Sequence, residues 1–285
     1  MSEFESVSKI KTALICLKYE FQNWGIQTGK RMLGRKIHRF DIKRRYSVWA
    51  AKRIVMDENL AIVDNSHPSW FYSAFDRNDA DPLTNYSLKY IEQNVPKEAS
   101  ILIMGCGTGI MAFHLADAGF INIEGRDLLE KCIRVANRLG DQFGYKSVKF
   151  HVDDGFQPKL KHKYDLITAM HWVFSAWMGN YGNTPPEDAY NPLVREHLLS
   201  EFLGNYVEHL SKNGLIIVEL IDAVADYRDP FDHPLGQEST KIYPVRHTPE
   251  QVRACASKLG LEVIDKRLCV NYSHQPRTSY ILRKT

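Results

Sequence analysis

The chain of 285 residues lacks the features that mark membrane-spanning, metal-binding and repeat proteins. It has no run of eighteen apolar residues, which excludes a predicted transmembrane segment. It shows no internal repeat, no low-complexity segment and no convincing metal-ligand spacing of His, Asp or Glu, so we predict no metal site. Its cysteines are odd in number, scattered and without zinc-site spacing: Cys16, Cys106, Cys132, Cys255 and Cys269.

This cysteine usage is typical of a reducing compartment, and we see no signal peptide at a start that carries Glu3 and Glu5. We therefore expect a cytoplasmic protein. The net charge of +3 is too small to indicate a nucleic-acid partner.

The most informative segment is a short apolar run followed by three glycines within five residues. Ile101 to Met104 is typical of a buried strand, Gly105, Gly107 and Gly109 follow, and an apolar helical segment begins at Ile110. Glycines at a strand-to-helix turn let the backbone approach a ligand, and the helix start supplies unpaired N–H groups. The turn is thus a candidate cofactor site.

A carboxylate follows at the sequence separation that is typical of a ribose-binding residue. Asp127 lies eighteen residues after Gly109, at the end of the next predicted strand, where it can accept hydrogen bonds from both ribose hydroxyls. The dinucleotide fingerprint requires a small residue three positions after its second glycine, and here that position is Ile110. The spacing therefore favours a single nucleoside over a dinucleotide.

Strands and helices alternate from here to the end of the chain. Predicted strands at 148–152, 164–170, 215–221, 261–264 and 279–282 are separated by one-faced helices at 128–139 and 196–210 and by the capping box Thr248 to Gln251. Strands that are apolar on both faces indicate an α/β fold whose mostly parallel sheet carries helices on both sides.

The glycine pattern, Asp127 and the order of these elements resemble the class I S-adenosylmethionine-dependent methyltransferases. The resemblance covers Ile91 to Lys284 and implies a Rossmann-like, seven-stranded sheet with its last strand antiparallel. It divides the chain into a methyltransferase domain at 91–285 and a helical, basic N-terminal extension at 1–90.

The same resemblance implies where S-adenosyl-L-methionine would bind. Asp127 would hold the ribose, Asp154 and Phe156 would border the adenine, and Ala169 would lie beside the methyl-transfer site. The loop around the methionine portion would consist of Gly105, Cys106, Gly107, Thr108 and Gly109. The chain departs from the family at Ile103, where an acidic residue is usual.

For catalysis we select His171, which follows the fourth predicted strand where the acceptor would arrive. An alcohol that attacks a sulfonium methyl loses a proton, and a histidine with an ordinary pKa near 6.5 is suited to accept it at neutral pH. The alternative is a histidine that is hydrogen-bonded in a loop for structural reasons.

Basic residues are concentrated in the N-terminal region. Residues 30–45 hold eight basic residues against Asp41. This segment is interpreted as the solvated face of a helical cap, as a binding surface for an anionic acceptor, or as a peripheral contact with anionic lipid or nucleic acid.

These observations predict S-adenosylmethionine-dependent methyl transfer to oxygen of a small molecule or of a glycan or lipid-linked intermediate. Two alternatives remain. One is an aminopropyl-type transferase, indicated by Asp154-Gly155 but disfavoured by Met170-His171, where that class places an acid. The other is a non-catalytic cofactor-binding or scaffold protein, for which Ile103 is the clue.

Overall fold

Strands and helices alternate throughout the part of the chain that the computed structural model describes, namely residues 82–173, 177, 188, 191–223, 245–270 and 276–285. The helices are α1 (Pro82–Asn94), α2 (Ile110–Asp117), α3 (Glu130–Phe143), α4 (Pro192–Val207) and α5 (Pro249–Lys258). The strands are β1 (Ser100–Met104), β2 (Asn122–Asp127), β3 (Val148–Val152), β4 (Tyr164–Ala169), β5 (Leu210–Ile221), β6 (Leu261–Val270) and β7 (Pro276–Lys284).

All seven strands belong to one sheet in the order β3-β2-β1-β4-β5-β7-β6. The pairs among β1 to β5 are parallel, and β7 is antiparallel to both β5 and β6. The strand order changes direction between β1 and β4, and ligands bind at such a switch point in open α/β sheets. The seven-stranded α/β sheet predicted from the sequence is confirmed.

The two faces of the sheet bury two separate apolar clusters. Leu102 and Met104 of β1 pack with α4 and α5 on one face, whereas Ile101 and Ile103 pack with α1, α2 and α3 on the other. Burial on both faces explains why the strands are continuous apolar runs without polar alternation.

The predicted start of α5 is confirmed atom by atom. The Thr248 hydroxyl accepts the Gln251 backbone N–H, and the Gln251 side chain accepts the Thr248 N–H. Pro249 occupies the first helical position, where a missing N–H costs no intrahelical hydrogen bond. Helix α4 has a simpler N-cap, because the Asn191 side chain accepts the Leu193 N–H and no second side chain among the described residues returns a bond.

One predicted turn is part of a strand. The sequence indicated a turn at 212–214 before a strand beginning at Leu215, but β5 already begins at Leu210. Tyr164 pairs with Leu210 and Leu166 pairs with Leu215, so a bulge with Asn213 at φ 60° absorbs the extra residues. The glycine and asparagine signal was right about local backbone bending and wrong about interruption of the sheet.

The predicted division at residue 90 falls inside α1, which packs against β6, β7 and α2. The basic segment 30–45 and the rest of the extension before residue 82 lie outside the described residues. None of the helices in the described ranges combines the length and apolar character needed to cross a bilayer.

A buried histidine joins the end of β5 to the start of α5. The backbone of His247 forms an isolated β-bridge with that of Asp222. Its ring Nε2 donates to the Arg195 carbonyl of α4 at 2.8 Å. Its Nδ1 has no hydrogen-bond partner within the described structure, and its ring centroid lies 5.4 Å from that of Trp177. Burial lowers the pKa of His247 to about 4.

We predict that His247 makes the fold sensitive to acid. Above the unfolded pKa of about 6.5 the ring is neutral in both states, so it imposes no penalty. Between pH 6.5 and 4 only the unfolded ring gains a proton, which lowers the free energy of unfolding by about 1.4 kcal/mol per pH unit, to a total of roughly 3 kcal/mol. Urea titrations of wild type and His247→Gln across this range should show a smaller acid loss in the variant.

The matched control is His197→Gln, because His197 lies on α4 with a side chain 76% exposed. It should follow the wild-type pH profile. Equal acid sensitivity of wild type and His247→Gln would contradict the prediction.

Candidate active site

The candidate site lies at the carboxyl edge of the sheet, where β1, β2 and β4 end. Parallel pairing places the residues that follow these strands side by side, since Met104 is in register with Arg126 and with Ala169. The glycine turn, Asp127 and His171 are therefore brought together by topology, as the sequence predicted.

The turn after β1 requires its glycines. Gly105, Gly107 and Gly109 have φ values of 67°, 53° and 84°, a left-handed conformation that other residues adopt at a cost. Gly109 is the N-cap of α2 and supplies no side-chain cap, so the N–H groups of the first turn of α2 point toward the loop.

The carboxylate of Asp127 holds this loop. Its Oδ2 accepts the Gly107 N–H at 2.8 Å, and its Oδ1 accepts the Leu129 N–H at 2.9 Å. Each carboxylate oxygen has two lone pairs, so both can also accept a hydroxyl donor. The predicted ribose ligand thus has a structural function as well.

Trp172 connects the glycine turn after β1 to the loop after β3. The indole Nε1 donates to the Met104 carbonyl at 2.8 Å. A Cβ added at Gly105 would lie 2.1 Å from Trp172 Cδ1, and one added at Gly155 would lie 2.3 Å from Cη2. Only glycine fits at either position, because the same indole fills both spaces.

The two adjacent aspartates after β3 have different roles. Asp153 is buried and accepts Arg126 Nη1 at 2.5 Å and the Lys159 N–H, which fixes the loop. Asp154 is partly exposed, and its Oδ1 accepts the Phe156 N–H at 2.9 Å. Of the two, Asp154 is the more exposed acid, and its role at the adenine stays a prediction. Phe156 is partly buried and packs edge-on against Trp172.

Three other predicted contact residues are buried. Thr108, Ala169 and Cys106 are 7%, 1% and 8% exposed. Burial and the nearby Asp127 raise the pKa of the Cys106 thiol well above its usual value, and the sulfur lies where a Cβ on Gly125 would meet it.

Ile103 occupies the position where the resembling family usually has an acid. It is 3% exposed and belongs to the apolar cluster under α2. Leu128, which sequence reasoning did not select, is 51% exposed directly after Asp127. The sequence alone gives no sign that this leucine, next to the predicted ribose-binding residue, would be exposed to solvent.

His171 has an unusual backbone and three side-chain neighbours. Its φ is 69°, and its backbone N–H donates to Glu219 Oε2 at 3.2 Å. Its Nδ1 lies 3.1 Å from Glu219 Oε2 and 3.1 Å from Arg277 Nη1. Its Nε2 lies 2.5 Å from the Thr84 hydroxyl of α1.

Sequence reasoning missed these three neighbours. Glu219 is fully buried on β5, and Arg277 of β7 donates to its Oε1 at 2.6 Å. The sequence did contain a sign of Glu219, because it is a charged residue inside the otherwise apolar run Leu215 to Ile221. Thr84 and Arg277 are 87 and 106 residues from His171 in sequence, and no local pattern connects them.

No group of three or more His, Cys, Asp or Glu side chains within the described ranges could hold a metal ion. The aromatic residues that follow His171 in the sequence also suggest an acceptor pocket, and two of them, Phe174 and Tyr181, lie outside the described residues.

We predict that Gly105 is replaceable only at high cost. Gly105→Ala combines left-handed strain of about 1–2 kcal/mol with a collision against Trp172, which adds roughly 1–3 kcal/mol. Gly144→Ala is the control, since Gly144 has a φ of 75° and nothing within 4 Å of its Cβ position. Urea unfolding midpoints should therefore fall further for Gly105→Ala. Equal losses would show that Trp172 yields without cost.

Comparison with known proteins supports one family. A family model described as a methyltransferase domain matches residues 74–266. Ribosomal protein L11 methyltransferase from Dechloromonas aromatica is 25% identical over 120 residues, 42% of this chain and 34% of that protein. EEF1A lysine methyltransferase 2 from Danio rerio is 25% identical over 126 residues, 44% of this chain and 49% of that protein. The chain thus spans a third to a half of the length of these curated relatives.

The fold is also similar to a solved structure. Magnesium protoporphyrin IX methyltransferase from Synechocystis PCC 6803, crystallised with bound SAH, superposes with a TM-score of 0.53. The match covers 81% of this chain and 94% of that one at 13% identity, so it is evidence for the fold alone.

Proposed function

The chain belongs to the class I S-adenosylmethionine-dependent methyltransferase family, and we propose that it transfers the methyl group of S-adenosyl-L-methionine to a hydroxyl oxygen. The proposed acceptor is a small molecule or a glycan or lipid-linked intermediate, and the proposed location is the cytoplasm. The proteins similar to it include methyltransferases named for ribosomal protein L11 and for EEF1A lysine. The hydroxyl acceptor is therefore proposed from this chain's own site and is not taken from these relatives.

The residues at the carboxyl edge fit the cofactor. The glycine loop leaves Gly105 and Gly107 partly exposed, and Asp127 presents two oxygens already aligned by backbone N–H groups. We propose that Asp154 borders the adenine together with Leu128, which is exposed directly after Asp127. When bound, the cofactor supplies an electrophilic methyl group on a sulfonium sulfur.

The observation that carries the proposal is the hydrogen bond between His171 Nε2 and a hydroxyl. Thr84 places an alcohol oxygen 2.5 Å from this nitrogen, and the His171 side chain is 27% exposed. A neutral imidazole nitrogen at this distance can take the proton from a hydroxyl that attacks a methyl group. The acceptor oxygen would occupy the place that the Thr84 hydroxyl has in this structure.

The chain's remaining contribution is placement. Aligning an acceptor hydroxyl with the reacting carbon removes much of the entropic barrier. The excess of basic residues in the sequence at 30–45 favours an acceptor that is anionic or is carried by an anionic surface.

We predict selective stabilisation by one cofactor. At about a hundred times its dissociation constant, S-adenosyl-L-methionine should add roughly 2.7 kcal/mol and raise Tm by roughly 5–10 °C, whereas NAD should not. Asp127→Ala should lower this shift, because hydrogen bonds to a charged group are each worth about 1.5–3 kcal/mol. Differential scanning fluorimetry measures both effects.

The control is Asp165→Ala, since Asp165 also accepts a backbone N–H, that of Ser100, but at the opposite end of the sheet. Its ligand-induced shift should equal that of wild type. A larger shift with NAD, or an undiminished one in Asp127→Ala, would refute the cofactor assignment.

We predict that His171→Asn retains the cofactor-induced shift and loses turnover by roughly a hundred- to ten-thousand-fold. Asparagine tolerates the left-handed backbone that alanine would strain. The assay uses methyl-labelled cofactor with cell extract, intact or depleted of macromolecules, and His197→Asn is the control. Unchanged turnover would exclude His171 as the base, and activity confined to the macromolecular fraction would exclude a small-molecule acceptor.

A further inference from the structure

Glu219 is the fully buried carboxylate behind His171, on the strand next to β4. Its Oε2 meets both the backbone N–H of His171, at 3.2 Å, and the ring Nδ1, at 3.1 Å. The same oxygen therefore contacts the histidine twice, once through the main chain and once through the ring. This double contact fixes the ring relative to a backbone that is itself held at φ 69°.

The second oxygen of Glu219 is held by an ion pair. Arg277 Nη1 donates to Oε1 at 2.6 Å, and the Arg277 side chain is 9% exposed. A buried carboxylate without a cation would be costly, so Arg277 compensates the charge that Glu219 brings into the apolar sheet. Arg277 Nη1 lies 2.6 Å from Glu219 Oε1 and 3.1 Å from His171 Nδ1, so its hydrogen bond to the carboxylate is the stronger of the two contacts.

The geometry restricts where the ring proton lies. A carboxylate oxygen only accepts hydrogen bonds, so the approach of Oε2 to Nδ1 is favourable when Nδ1 carries the proton. Nε2 then has a lone pair, and the Thr84 hydroxyl donates to it. The alternative places the proton on Nε2 and makes Nδ1 accept from Arg277, which sets the lone pairs of Nδ1 and Oε2 against each other.

We infer that Glu219 is a positioning residue: it holds His171 in the tautomer with the proton on Nδ1 and directs the Nε2 lone pair at the acceptor hydroxyl. The arrangement hydroxyl–imidazole–carboxylate is the one that serine hydrolases use to set a histidine base, here with an added arginine. The inference rests on the proposed function for the use of Nε2. The tautomer itself can be measured without cofactor or acceptor.

The experiment is ¹⁵N NMR of the full chain labelled at its 11 histidines, at pH about 8.5, where an ordinary histidine is neutral. The His171 signals are assigned by their loss in His171→Asn. Protonated and bare ring nitrogens have well-separated shifts, so the spectrum gives the tautomer ratio. In wild type we expect the Nδ1-protonated form to exceed the other by roughly ten to one.

Two variants test whether Glu219 sets the tautomer of His171. In Glu219→Gln the amide has one acceptor oxygen, for which Arg277 and the two N–H groups of His171 compete, so the ratio should fall well below that of wild type. In Glu219→Met/Arg277→Met both charges are removed together, which buried pairs often tolerate, and the ratio should fall near one. This second variant gives a result where the single variant fails to fold.

The matched control is Glu124→Gln. Glu124 is another carboxylate paired with an arginine, Arg126, at 2.7 Å, on β2 and outside the site. It should leave the His171 signals unchanged. A wild-type His171 protonated on Nε2, or a ratio unaffected by both Glu219 variants, would overturn the assignment. Those outcomes are independent of turnover, whereas an inactive protein with the expected tautomers would refute the proposed function alone.

Discussion

The candidate site depends on one indole ring. Trp172 fills the space beside Gly105 and Gly155 and donates to the Met104 carbonyl, so it connects the loops after β1 and β3 with the loop after β4 that carries His171. A close-packed side chain of this size leaves the three loops few alternative arrangements. The glycine turn and His171 both have a left-handed backbone conformation. The indole packs against the turn and Glu219 contacts His171, and these contacts hold the two conformations in place.

Two buried carboxylate–arginine pairs stabilise opposite halves of this edge. On β2, Arg126 binds Asp153 and orders the loop that presents Asp154. On β5 and β7, Glu219 and Arg277 order His171. Burying such pairs gains little net stability, but removing one partner is costly, so they specify geometry more than they add stability. The cofactor side and the proposed acceptor side are thus organised by the same type of interaction.

The apolar pattern explains why the sheet was predictable. Strand β3 was predicted with the bounds that it has, and the α5 capping box was predicted residue by residue. Both are local: a run buried on two faces and a side chain that bonds three residues away leave signals within one short window. The start of β5 was not predictable, because its bulge depends on how β4 lies beside it.

The sequence by itself determined the family, the order of elements and the placement of Gly105, Asp127, Asp154 and His171 at one edge. Parallel topology requires that placement, since residues following the strands of a parallel sheet must meet at its carboxyl edge. Only the tertiary structure decided what surrounds His171. Thr84, Glu219 and Arg277 come from a helix and two strands far apart in the chain, and they contact the ring only because β5 and β7 pair and α1 packs above them. Their roles arise from distances between side chains, which no spacing along the chain encodes.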